Sequence, residues 1–178
     1  MPHQGQSIVN AETGQRMTFV RLDDEILEMS SVSPRTERPE PRHTHPHQES
    51  SAAVRSGSLV FEVEGTERRV GPGESITIPA GARHTFWNDR DEAARCTQTF
   101  RPALGTAAFF ETYAVLAERG ELDEKGMPGL MQLAVMIPEF GDEMRVQRPP
   151  WSVQRALAAA LGPIARRRGY RGRLAPAP

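Results

Sequence analysis

One cysteine, Cys96, stands alone in 178 residues, so the chain can form neither an internal disulfide nor a cysteine-built zinc cluster. That usage fits a reducing compartment, and Cys96 itself reads as a small apolar filler on a strand. Long apolar runs are missing too. The longest weakly apolar stretch, Ala156 to Ala165, carries Gly162 and Pro163 and falls far short of the roughly twenty residues that span a bilayer. The N-terminal MPHQGQSIVNAETG is polar and lacks the apolar centre of a secretion signal. A soluble, cytoplasmic protein is the expectation. Charge of one sign is not in excess: 22 Lys and Arg meet 23 Asp and Glu, for a net charge of −1. No global field exists to draw in nucleic acid or an anionic membrane, and neither is expected as a partner. Arg166, Arg167 and Arg168, with Arg171 and Arg173, read as the solvated end of a helix. There is no internal repeat.

What the chain does have changes along its length. Two early strands are expected, Met17–Leu22 and Glu25–Val32, followed by the proline-rich loop SPRTERPEPR. From residue 43 to 101 short strands alternate with Gly, Pro and Asn turns. They are Ser58–Val63 and Glu67–Val70 as a hairpin, then Ser75–Ile78, His84–Trp87 and Arg95–Phe100. Val60 breaks the alternation of its strand, which implies packing on both faces or a local twist. This spacing favours an antiparallel sandwich or barrel over a parallel sheet.

After residue 101 the pattern turns helical. Thr106 is a candidate cap for the first helix, in which Phe109, Tyr113 and Leu116 share a face and Gly120 is the stop. Pro128 suits the first turn of a second helix with Leu130, Leu133, Ala134 and Ile137 along one face, ended or kinked by Pro138. A third helix, Trp151–Arg168, is interrupted at Gly162-Pro163, and the tail LAPAP reads as disordered. The expected domains are residues 1–101, a barrel with its N-terminal strands, and 102–178, a helical extension packed on it.

The chemistry concentrates in histidines. In His43-Thr44-His45 on an extended strand, residues two apart point to the same side, so both imidazoles can share one ion. His84 follows a Pro-x-Gly turn and supplies a third nitrogen from a neighbouring strand. His47 lies two residues further on, but Pro46 bends the chain before it; it is either an alternative ligand, part of the pocket, or a surface residue. Phe86 and Phe61 are expected to face the interior as core or pocket wall. Gln98, on the face of Cys96, is a candidate polar contact for a bound molecule.

The segment from Gly73 to Asn88 carries Gly73, Pro79, Gly81, His84 and Asn88 at the spacing of the second motif of the cupin superfamily, which the chain resembles over roughly residues 15–101. Gly73 and Gly81 permit tight turns, Pro79 ends a strand, and Asn88 can close the next turn with its side chain. The first cupin motif is met by His43, His45 and the closing Gly57, with two departures. Glu37 stands where the motif opens on glycine, and the usual glutamate slot falls on Ser50, one residue after Glu49. Either Glu49 reaches the metal after a one-residue shift, or the site has three histidines and water.

The resemblance implies a mainly β fold, an antiparallel jelly-roll (double-stranded β-helix) barrel with a C-terminal helical extension. It also implies a divalent ion such as Fe, Mn, Ni or Zn. A metal-dependent enzyme acting on a small oxygen-containing substrate is the expected function, with dioxygenase-like chemistry among the options. The alternative is a non-catalytic small-molecule sensor, with or without metal. No general base is recognisable by spacing, which tilts the expectation from hydrolase or isomerase toward metal-centred oxidoreductase chemistry. The apolar helix faces exceed what such a barrel needs, so a homodimer is expected.

Overall fold

The computed structural model of the protein describes residues 1–36 and 39–176; Glu37, the departure at the motif's opening glycine, lies outside the described residues, as do Ala177 and Pro178. Among the described residues, eleven strands and three helices follow in order: β1 (Ser7–Val9), β2 (Arg16–Leu22), β3 (Leu27–Ser33), β4 (His43–Thr44), β5 (Glu49–Ser56), β6 (Leu59–Val63), β7 (Thr66–Val70), β8 (Ser75–Ile78), β9 (His84–Trp87), β10 (Ala94–Arg101), α1 (Thr106–Glu118), α2 (Leu130–Phe140), β11 (Arg145–Val146) and α3 (Trp151–Arg167).

The strands form two antiparallel sheets, one ordered β1-β2-β3-β10-β5-β8 and the other β11-β4-β9-β6-β7. The fold is therefore an antiparallel jelly-roll barrel with a helical extension, as expected. Alternation along each strand fills the interior. Cys96, Gln98 and Phe100 of β10 point inward, as do Ser50, Ala52 and Val54 of β5. One apolar cluster, built on Ala52, Val54, Leu59, Phe61, Val70, Ile78 and Cys96, fills one part of the barrel. Cys96 is the buried filler the sequence suggested, and burial pushes its thiol up to about 12. Leu59, Val60 and Phe61 are all buried, so β6 packs on both faces where its alternation breaks. Gly57 holds φ at +68°, and a Cβ there would meet the Ala94 backbone at 2.8 Å, so that turn accepts only glycine without moving the neighbouring strand.

Several features differ from the sequence reading. First, β1, β5 and β11 are additional strands. Second, Thr106 does not cap α1: Gly105 holds that position, and the Thr106 hydroxyl instead accepts a hydrogen bond from Gln48 Nε2 at 2.7 Å. Third, Pro128 precedes α2 rather than lying in its first turn. The face α2 buries carries Gln132, Val135, Met136 and Phe140, with Ala134, while Leu130 is 54% exposed. The apolar cluster of Phe109, Leu116, Met136 and Phe140 between α1 and α2 selects that face. Fourth, α2 continues through Pro138 and α3 through Gly162-Pro163. Both prolines are exposed and border the open groove between α2 and α3, so neither ring is crowded by a packed neighbour. Gly162 is buried because it lies against the Ala134 carbonyl, where a Cβ would sit 3.3 Å away.

The helical segment docks on the barrel through α1, whose Ala107 and Ala114 join Phe19, Leu27, Met29 and Phe100 in one cluster. α2 packs on α1 and α3 on α2. The tail begins packed: Leu174 sits on the α1–α2 cluster, and its N–H donates to Thr112 Oγ1 at 3.1 Å. No helix among the described residues is long and apolar enough to cross a membrane.

Candidate metal centre

His43 and His84 stand directly opposite each other where β4 pairs with β9. His45 follows β4, and its carbonyl accepts the Gly81 N–H at 2.8 Å. Gly81 holds φ at +80°, so the Pro79–Gly81 turn that delivers His84 also fixes the main chain of His45. The three side chains are each about 95% buried. Their ring centroids are 4.3 Å apart for His43 and His84 and 5.1 Å for the other two pairs. One ring nitrogen of each lies within 4.8 Å of the others.

The hydrogen bonds of the three rings select their proton positions. His43 Nδ1 bonds the Pro41 carbonyl at 2.9 Å, His84 Nδ1 the Ala82 carbonyl at 3.0 Å, and His45 Nδ1 the Glu143 carbonyl at 2.6 Å. A carbonyl can only accept, so each Nδ1 carries the proton and each Nε2 keeps its lone pair. Burial holds all three rings neutral: His43 falls well below the usual imidazole range, with His84 and His45 adding to the effect, His45 falls to about 4, and His84 is also lowered. Three neutral, pre-oriented imidazoles with converging lone pairs are the donor set that a divalent ion of the zinc, iron or nickel type takes. The residues present fit such an ion.

A cavity of about 40 Å³ adjoins the cluster. Phe61 and Phe86, stacked at 5.5 Å, line it together with Gln98. Gln98 Oε1 accepts the Ser31 hydroxyl at 2.8 Å, which fixes the amide in the wall. Two candidates are not brought to the site. His47 is exposed, 3.5 Å from Asp142. Glu49 is exposed at the start of β5, and Ser50 faces the cavity in its place, because strand alternation turns neighbouring residues to opposite sides.

The carboxyl group in the cavity wall is Glu40, in the loop before β4. Its carbonyl accepts the Thr85 hydroxyl at 2.6 Å, which ties the loop to β9 beside His84. Burial raises its carboxyl to about 7. Sequence reasoning missed it because Glu40 sits among prolines in a stretch without periodicity; only its closeness to His43 hinted at a role. Met144 and Phe110, from the helical segment, complete the wall.

Residues 28–100 match the Cupin_2 family, described as a cupin domain. No curated protein matches the sequence. Among solved structures, an RmlC-like cupin from Shewanella frigidimarina is similar at 17% identity, covering 60% of this chain and 93% of that one, with a TM-score of 0.50. A sugar phosphate isomerase of the cupin superfamily from Silicibacter pomeroyi is 19% identical over 56% of this chain and 75% of that one, with a TM-score of 0.48. The cupin domain of Schizosaccharomyces pombe Cnp3 is 17% identical over 49% of this chain, which spans only 61% of that chain's length, with a TM-score of 0.46. The family match and the barrel topology make residues 28–100 a cupin domain, and His43, His45 and His84 all lie within it.

Proposed function

We propose that His43, His45 and His84 bind one divalent metal ion through Nε2, and that the cavity beside it is the site of an enzyme acting on a small oxygen-containing substrate. The observation that carries this reading is the shared proton arrangement: three buried neutral rings, each with Nδ1 on a main-chain carbonyl, the carbonyls of Pro41, Ala82 and Glu143 coming from three separate stretches of chain. When bound, the ion supplies Lewis acidity to a ligand oxygen. The cavity, at about 40 Å³, has room for a group of a few heavy atoms. Phe61 and Phe86 offer it an apolar wall, and Ser50 and Gln98 offer polar contacts.

Glu40 shifts the balance of chemistries. The sequence suggested no base, which favoured redox reactions; a cavity carboxyl that titrates near neutrality can take or return a proton, which favours lyase- or isomerase-like proton transfer. Its titration has a definite sign. The folded protein holds the Glu40 proton more tightly than the unfolded chain, so this group's contribution to stability falls as pH rises from about 4.5 to about 7. Denaturant unfolding of the native protein and Glu40→Gln should therefore diverge across that window, the variant gaining relative stability as pH rises. A difference that stays flat would place the carboxyl in solvent.

Catalysis and sensing separate on one experiment. The zinc- and manganese-loaded protein is incubated with a panel of small hydroxy acids, keto acids and sugar derivatives, followed by NMR. Conversion that is lost in Glu40→Gln supports the enzyme. Saturable binding of a panel member without conversion supports the sensor.

A homodimer remains the expected assembly. Val153, Leu157 and Ile164 are spaced along one face of α3 and are 44, 39 and 42% exposed. Sedimentation equilibrium should give a dimer that Leu157→Asp dissociates; a native monomer would remove this part of the reading.

A further inference from the structure

We propose that the C-terminal extension is part of the metal centre, with the main-chain carbonyl of Glu143 setting the tautomer and aim of His45. This rests on the three-histidine reading above. His43 and His84 each use a carbonyl two residues earlier in their own strand region. His45 does not; its acceptor lies 98 residues away, beyond the matched cupin domain. A barrel ending at β10 would leave this ring without its partner.

The extension holds that carbonyl in place from several directions. β11 adds to the edge of β4, with Arg145 opposite Thr44 and Val146 opposite His43, and the Gln147 N–H reaches the Arg42 carbonyl at 3.2 Å. Gln154 of α3, buried, donates to the carbonyls of Val146 and Pro149 at 2.9 and 2.6 Å. The Glu143 side chain is itself buried, and its Oε1 accepts the Gly105 N–H at 2.8 Å, which ties the loop to the start of α1. Gly105 makes room for that contact, because a Cβ there would lie 2.6 Å from Oε1. Met144, the next residue, lines the cavity. One short segment therefore supplies the ring's hydrogen-bond partner, part of the cavity wall and a strand beside the ligands. Glu143 is a positioning residue, since it acts on the metal only through His45.

Losing such a partner of a ligating histidine costs about 10- to 100-fold in metal affinity. The test is Zn²⁺ titration of the full chain against a chromophoric competitor. Glu143→Ala keeps the main-chain carbonyl but frees it from Gly105 and should weaken binding by up to about 10-fold, whereas Glu143→Gln, whose amide oxygen still accepts from Gly105, should stay close to the native protein. Gly105→Ala, which displaces the carboxylate without touching it, should weaken binding as Glu143→Ala does and decides the matter if that variant does not fold. Nitrogen-15 NMR of the native protein without metal should show His45 protonated at Nδ1, a signature that a purely structural role would not require. Native zinc affinity in both Glu143→Ala and Gly105→Ala, or His45 protonated at Nε2, would overturn the proposal. A native protein that binds no zinc would instead overturn the three-histidine reading beneath it.

Discussion

His84→Ala is expected to bind divalent metal more than about 100-fold more weakly than the native protein, because loss of a ligand must exceed the 10- to 100-fold cost of losing a ligand's partner. His84 lies opposite His43 across the β4–β9 pair, with 4.3 Å between ring centroids, and among the described residues no fourth imidazole joins the cluster to take its place. The fold should survive the change. The apo cluster holds neutral rings whose burial disfavours charge, and removing one leaves a gap beside the cavity rather than a broken core. His47→Ala provides the contrast, since an exposed ring beside Asp142 should contribute nothing to the ion. Isothermal titration with Zn²⁺ on both variants measures the difference. Acid should act in a related way. His43, His45 and His84 are all lowered below the unfolded value, so their contribution to stability is present above about 6.5 and is lost as pH falls toward 4, where His45 takes up its proton. Bound metal should extend folding to lower pH, because it competes with those protons.

The second large effect is on stability. Asn88 is 1% exposed at the end of β9, and its side chain makes three hydrogen bonds. Nδ2 donates to the Ser33 carbonyl at 3.0 Å and the Glu92 carbonyl at 2.8 Å, while Oδ1 accepts the Arg90 N–H at 2.9 Å. Alanine removes all three, and the carbonyls that lose their donor lie where water replaces it poorly. At about 1 kcal/mol for each bond, Asn88→Ala should cost about 3 kcal/mol, a large share of the 5–15 kcal/mol that holds a typical domain together. Melting should fall by about 6–12 °C. Asp in place of Asn would keep the bond from Arg90 but set oxygen against the two carbonyls, so it should not restore stability. A variant melting within about 2 °C of the native protein would show that the bonds are dispensable.

Asn88 also shows how much of the molecule was legible in its sequence. Its turn-closing bond to Arg90 is local, and the motif spacing announced it; its grip on Ser33, 55 residues earlier, depends on how the sheets come together. The same division runs through the site. Gly73, Gly81, His84 and the paired His43 and His45 are set by turns and alternation within a few residues, and those positions were readable. β5 was not read as a strand because ESSAAVRS has only Val54 among the β-branched and aromatic residues that mark one; its alternation of Ser50, Ala52 and Val54 was the signal available. Recognising that strand would have placed Ser50, not Glu49, inside. Glu40 and Glu143 reach the site through a proline-rich loop and through a segment 98 residues beyond His45, distances over which neither periodicity nor spacing carries information. The buried face of α2 was misassigned for a similar reason. Its sequence is apolar nearly all round, and the choice of Met136 and Phe140 over Leu130 is made by Phe109 and Leu116 of α1.

The three-histidine centre is tested most directly by the metal content of the native protein, measured by elemental analysis after purification and again after equilibration with Fe²⁺, Mn²⁺, Ni²⁺ or Zn²⁺ and removal of excess ion. About one ion per chain, absent from His84→Ala treated in the same way, is the expected result. A native protein that carries no ion and takes up none, or a His84→Ala protein that keeps its ion, would contradict it.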